Sequence, residues 1–202
     1  MSEVVIIRYN AGNIQSVVYA LERLGVRPVV TAKADQIKNA GKVIFPGVGE
    51  ASTTMNYLRE KGLDTLIASL TQPVLGICLG LQLMCRFSEE GNTQCMGIFD
   101  AEVKKFPDTT EKEARLKVPH MGWNTVTKTD LDCPLLSGLD NAPFFYFVHS
   151  FYATAGPHTA AETFYGLSFS SVLRNRNFMA VQFHPEKSGT SGEVLLRNFL
   201  KL

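Results

Sequence analysis

An α/β fold, with a mostly parallel sheet carrying helices on both faces, is predicted from two observations. Short β-branched apolar runs recur along the first half of the chain, and segments with helical apolar periodicity separate them. Val4 to Ile7 reads as a buried strand. Asn13 to Leu24 follows as a helix with Ile14, Val17, Val18, Leu21 and Leu24 on one face. Val29 to Thr31 and Val43 to Phe45 are the next strands. The turn sequence PGVGEAS then leads into helical patterns from Ala51 to Leu70, interrupted near Gly62, and a further strand is expected at Val74 to Ile77. From Ile98 to Phe183 the pattern turns strand-rich, with runs at Asn124 to Thr127, Phe144 to Val148 and Phe178 to Phe183. Gly192 to Leu202 reads as a closing helix. No repeat, low-complexity tract or linker interrupts the 202 residues, so one domain, 1–202, is expected. In such a sheet the ligand site lies at the carboxyl ends of the strands.

Composition narrows the function classes. The formal net charge is +1, which gives no basic surplus for nucleic acid or an anionic membrane. No run approaches the roughly 20 apolar residues that span a bilayer, and the start lacks the pattern of a secretion signal, so a cytoplasmic protein is expected. Cys78, Cys85, Cys95 and Cys133 form no CxxC pair, and histidines number only four. Neither a disulfide framework nor a metal site is signalled.

The stretch GICLGLQ, Gly76 to Gln82, sets a cysteine between two glycines directly after an apolar strand. A strand that turns at once into a helix crowds its own backbone, and small neighbours make the turn feasible, as in the G-x-S-x-G elbow. A thiol on such an elbow sits at a helix N-terminus, where unpaired N–H groups favour thiolate, and the Leu79 N–H would face an oxyanion formed by attack of Cys78. The competing reading is a small buried cysteine, the commoner fate of that residue. A nucleophilic cysteine needs a base. His184, in QFHPE, follows a strand that would end at the same sheet edge, and Glu186 stands two residues on, able to accept from its Nδ1. His120, His149 and His158 lack a following acid, and His158 reads as structural. The glycines around Val48 in FPGVGE free its peptide planes to offer a second oxyanion donor, although a plain glycine turn explains the same residues.

In this order, PGVG, GICLGLQ and QFHPEKS resemble the class I, or triad, glutamine amidotransferases. YNAGN (9–13), VPHMGWN (118–124) and YFVHSFY (146–152) narrow the resemblance to the glutaminase subunits of imidazole glycerol phosphate synthases, over essentially the whole chain. Arg8 departs from the acidic residue that many relatives carry before the Tyr-Asn pair. The resemblance implies a three-layer α/β/α flavodoxin-like fold and hydrolysis of L-glutamine to glutamate and ammonia, with no cofactor and no metal. It implies Cys78 as nucleophile, His184 as base and then acid, and Glu186 orienting His184. Val48 and Leu79 would be the oxyanion donors, and Gln82, Glu90, Ser150 and Phe151 would bind glutamine. The ammonia would pass to a (βα)₈-barrel cyclase subunit in a heterodimer of histidine biosynthesis, with Asn13, Met121, Trp123, Tyr146 and Lys187 near that interface. Taken without the resemblance, Trp123, the only tryptophan, is as well explained by a core position as by an interface anchor. Two other functions stay open: a paralogous amidotransferase that feeds another acceptor such as a surface-polysaccharide sugar, and a catalytically silent binding module. The intact Cys78, His184 and Glu186 disfavour the second.

Overall fold

The computed structural model describes residues 3–9, 14–107 and 116–202. The first half runs β1 (Val4–Ile7), α1 (Ile14–Arg23), β2 (Val29–Thr31), α2 (Ala34–Asn39), β3 (Lys42–Gly47), α3 (Ala51–Glu60), α4 (Leu63–Ala68), β4 (Val74–Cys78) and α5 (Leu79–Met84). The second half is mostly strand: β5 (Phe87–Ser88), β6 (Thr93–Gln94), β7 (Glu102–Lys105), β8 (His120–Thr125), β9 (Thr127–Lys128), β10 (Phe144–His149), β11 (Phe151–Ala153), β12 (Thr159–Phe164), β13 (Ser168–Asn175) and β14 (Phe178–Val181), closed by α6 (Gly189–Lys201).

The sheet centre is parallel, in the order β2-β1-β3-β4-β14, and continues from β14 into antiparallel β13, β11 and β7. Strand alternation divides the apolar side chains between two cores. Val5, Ile7 and Phe45 pack on the side of Leu58 and Ile67 from α3 and α4, whereas Val4, Ile6 and Ile44 pack on the side of Leu21 from α1 and Leu196 from α6. That is why a run such as VVII is apolar at every position: both of its faces are covered. Each such side chain, fully buried, contributes about 1.5–3 kcal/mol. Strands β8 and β10 form a separate two-stranded antiparallel ribbon.

Several boundaries differ from the sequence expectations, each for a physical reason. Helix α1 ends at Arg23, because Gly25 takes φ +82° and Leu24 donates back to the Leu21 carbonyl. The strand expected at Asn124 to Thr127 instead spans His120 to Thr125, set by its pairing with β10 rather than by apolar alternation. Strand β14 stops at Val181; Gln182 still donates its N–H to the Ser171 carbonyl of β13, and the chain then turns away, with the His184 N–H bonded to Tyr146 of β10 instead. Helix α6 begins at Gly189, not Gly192. Gly192 is a close-approach position, where an added Cβ would lie 1.9 Å from the Pro185 carbonyl oxygen. No helix among the described residues is long and apolar enough to cross a membrane.

Candidate active site

Three neighbouring parallel strands end together. Gly47 of β3 pairs with Cys78 of β4, and Val181 of β14 pairs with Ile77, so Cys78 and the residues after Val181 reach one edge of the sheet. At Cys78 the chain changes from strand to helix within one residue, with φ +54° and ψ −109°. This is a costly conformation for a residue with a Cβ, of order 1–3 kcal/mol, and it holds only where the surroundings over-determine it. The flanking glycines do so. A Cβ on Gly80 would sit 2.1 Å from the Phe45 carbonyl oxygen, and one on Gly76 would press on Met84 and Ala180 at 3.0 and 3.1 Å. Gly47 acts the same way and not, as its sequence suggested, by conformational freedom: a Cβ there would meet Leu79 and the Tyr9 hydroxyl at 2.7 Å. Only Gly49, at φ +126°, supplies unusual backbone geometry in that loop. The Tyr9 hydroxyl donates to the Pro46 carbonyl at 2.5 Å, which ties this loop to the strand beside it.

His184 is 2% exposed, and its Nδ1 lies 2.8 Å from Glu186 Oε1. Its backbone N–H donates to the Tyr146 carbonyl, and its own carbonyl accepts from the Ser188 hydroxyl, which in turn accepts from the Tyr146 N–H. The histidine is thus fixed to β10 from both sides. Burial disfavours a charged ring, but Cys78 and Glu186 beside it outweigh that effect and raise its pKa to about 10. Its Nε2 has no hydrogen-bond partner among the described residues and is the nitrogen left for proton transfer. The other three thiols, of Cys85, Cys95 and Cys133, are buried, and burial pushes them up towards the unreactive protonated form.

Cys78 and His184 open onto a cavity of about 330 Å³, also lined by Val48, Leu79, Gln82, Glu90, Ser150, Phe151 and Lys187. All the sequence-predicted triad, oxyanion and glutamine positions therefore come together, with Glu186 behind His184. Gln82 is 4% exposed; its side-chain amide donates to the Phe151 carbonyl at 2.9 Å and to Gln182 at 3.1 Å. Gln182 donates in turn to the Cys78 sulfur at 3.7 Å. Glu90 accepts from the Ala51 N–H at 2.7 Å, and burial raises its pKa against that bond. The expected interface residues divide. Met121 and Trp123 are exposed on one face of β8, Tyr146 lies opposite Trp123 with ring centroids 6.1 Å apart, and Lys187 is exposed at the cavity rim. Asn13 lies outside the described residues. The core alternative for Trp123 is excluded by its 56% exposure. Sequence reasoning missed Ser188, Gln182 and Tyr9, and it set His120 and His149 aside.

Residues 5–202 match the model of the glutamine amidotransferase class-I family. The chain belongs to that family. Among class-I amidotransferases it is 58% identical over 200 residues to the imidazole glycerol phosphate synthase subunit HisH of Bacteroides fragilis, covering 99% of this chain and all of the relative. It is 44% identical to the HisH subunit of Pasteurella multocida, over 100% of this chain and 98% of that one. The solved structure of PurLQS from Thermotoga maritima superposes with a TM-score of 0.70 at 13% identity, over 100% of this chain and 99% of that one, and supports the fold alone.

Proposed function

We propose that the chain is the glutaminase subunit of an imidazole glycerol phosphate synthase, releasing ammonia from L-glutamine for a cyclase partner in histidine biosynthesis. The observation that carries the chemistry is the cavity that joins a strained cysteine, a histidine backed by a carboxylate, and a set of polar groups sized for an amino acid. About 330 Å³ falls at the lower end of ligand-pocket volumes. The histidine-biosynthetic assignment rests on the full-length likeness to the HisH subunits.

In this reading Cys78 attacks the side-chain carboxamide carbon of glutamine. The carbonyl π electrons move to oxygen, and the Val48 and Leu79 N–H groups stabilise the oxyanion, a contribution of about 3 kcal/mol for one such donor. His184, basic enough to hold the thiol's proton, returns it to the departing nitrogen, so ammonia leaves and a glutamyl thioester remains. Water, deprotonated by His184, then attacks the thioester and releases glutamate and Cys78. Glu186 keeps His184 in the tautomer that leaves Nε2 facing the sulfur. Gln82, Glu90 and the main chain of Ser150 and Phe151 hold the amino-acid end of the substrate. No step calls for a metal or cofactor.

Met121, Trp123, Tyr146 and Lys187 form the docking face for the (βα)₈-barrel cyclase. Met121 pairs in register with Val148, which lines the cavity, so the face adjoins the place where ammonia is released. The test is glutamine turnover by the chain alone, with the cyclase, and with the cyclase plus its ribotide ligand, beside the same series for Cys78→Ala. Turnover is expected to rise at each addition. The variant should lose glutamine-dependent product while the complex still uses added ammonium. Equal turnover in all three states would refute the partner coupling, and glutaminase activity surviving in Cys78→Ala would refute the nucleophile.

A further inference from the structure

Two buried histidines are not used by the chemistry above: His149 lines the cavity and His120 lies behind it. His120 is 3% exposed and His149 6%, and they face each other across the β8–β10 ribbon with His120 Nδ1 2.9 Å from His149 Nε2. Aromatic rings enclose them. His120 stacks on Tyr165 at 4.0 Å and on Phe147 at 4.8 Å, and His149 sits against Phe169 at 5.2 Å and Phe106 at 5.3 Å. A polar pair in such a cage is tolerated only if its hydrogen bonds are satisfied.

The partners fix where every proton is. His149 Nδ1 lies 2.7 Å from the Phe151 carbonyl oxygen, which can only accept, so that nitrogen carries the hydrogen. Neutral His149 then accepts at Nε2, and His120 must donate from Nδ1. His120 Nε2 is left as an acceptor, and the Asn124 amide, 3.3 Å away, donates to it. The second hydrogen of that amide goes to the Phe164 carbonyl at 3.0 Å, and its oxygen accepts from the Thr125 N–H at 2.8 Å. The chain therefore has one direction: Asn124 to His120 to His149 to the Phe151 carbonyl. There it meets Gln82, whose amide donates to the same oxygen. Burial, which lowers the pKa of both histidines, keeps the rings in this neutral state.

We infer that His120 and His149 are positioning residues for the glutamine subsite, a directed relay that pins the Phe151 main chain and ties the exposed β8 face to the cavity. Both lone pairs of the Phe151 carbonyl are occupied, by His149 and by Gln82, and the preceding Ser150 carbonyl accepts from the Phe106 N–H. The cavity wall at Ser150 and Phe151 thus stands where the relay holds it. Asn124 belongs to the same strand as Met121 and Trp123, so a shift of β8 on docking changes the relay's first bond. The inference rests on the glutaminase reading.

The test uses the complex with the cyclase. His120→Phe keeps the stacked ring and removes both nitrogens, and His149→Phe does the same one step closer to the cavity. Each is expected to raise KM for glutamine about fivefold or more with a smaller change in kcat. Each should slow labelling of Cys78 by the glutamine analogue 6-diazo-5-oxo-L-norleucine to the same degree, while labelling by iodoacetamide stays within about twofold. His120→Asn, which retains a donor at the Nδ1 position, should recover most of the loss. In the unmodified chain, whose four histidines give a sparse ring-¹⁵N spectrum, His120 and His149 should both be protonated on Nδ1 at neutral pH. An unchanged KM in both phenylalanine variants overturns the relay, as does protonation of either ring on Nε2 in the unmodified chain. Absence of glutamine turnover by the unmodified complex refutes the functional reading itself and the relay with it.

Discussion

At the Cys78 corner the walls are glycines, whereas on the other wall of the cavity, in the β8–β10 ribbon, they are aromatic rings around two histidines. The corner is held by exclusion: any added atom on Gly80, Gly76 or Gly47 meets backbone or a packed side chain. The ribbon is held by order, a sequence of donors and acceptors that works in one direction. Volume is therefore the sensitive variable at the first wall and proton placement at the second. Substitutions chosen to change one without the other separate them.

The largest effect is expected at the corner. Gly80→Ala places a methyl against the Phe45 carbonyl, a backbone atom that cannot swing aside, and should cost about 3 kcal/mol of unfolding free energy together with the glutaminase activity. Urea denaturation measures it, and a change below about 1 kcal/mol would mean that the corner can breathe. The ribbon should instead respond to acid. Burial first, and for His149 also the neighbouring His120 and His184, holds the folded pKa values at about 4 and about 3, below the ordinary 6.5. Between those values the unfolded chain binds more protons. The stabilisation is thus complete above pH 6.5 and is lost as pH falls towards 4 and then 3. His184 adds no slope in that window: its pKa is raised, so its contribution is full and constant below 6.5 and disappears only as pH rises through about 10. Chemical denaturation at pH 6.5 and 4.5 should differ by on the order of 2 kcal/mol or more, and His120→Phe should flatten that slope.

Smaller effects sharpen the contrast. Trp123→Ala, on the outward face of the ribbon, should weaken association with the cyclase by about 2 kcal/mol in calorimetric titration and leave the melting temperature of the free chain nearly unchanged. A melting shift with unaltered affinity would make Trp123 part of the ribbon's own stability. The smallest effect returns to the corner. Cys78→Gly should be more stable than Cys78→Ala by about 1 kcal/mol, because φ +54° suits glycine and strains alanine. Equal stability would show that the strain is absorbed elsewhere.

The same contrast explains what was legible in the sequence. GICLG and QFHPE could be read because their requirements are local: glycines beside a sharp turn, and an acid two residues from a histidine. The parallel half was legible for a similar reason, since strands covered on both faces must be apolar throughout. Ser188 and Gln182 were missed because their decisive partners, Tyr146 and Cys78, lie 42 and 104 residues away. His120 and His149 were passed over for lack of a nearby acid, although each is the other's partner. Pairing VPHMGWN against FFYFVHSF as antiparallel strands would have set them opposite one another. The β8 strand itself was misplaced because histidine, glycine and asparagine occupy its inward positions, which breaks the apolar alternation that marks a strand.

The half-exposed Trp123, alone of its kind in the chain and edge-on to Tyr146, makes this surface spectroscopically self-reporting. Indole emission shifts to shorter wavelength when water is removed from the ring. Ultraviolet excitation at the red edge therefore addresses one known point beside the cavity, with no dye or tag attached. Docking, and any later rearrangement of the ribbon, can be followed as a colour change in real time, and stopped-flow mixing would order those events relative to ammonia release.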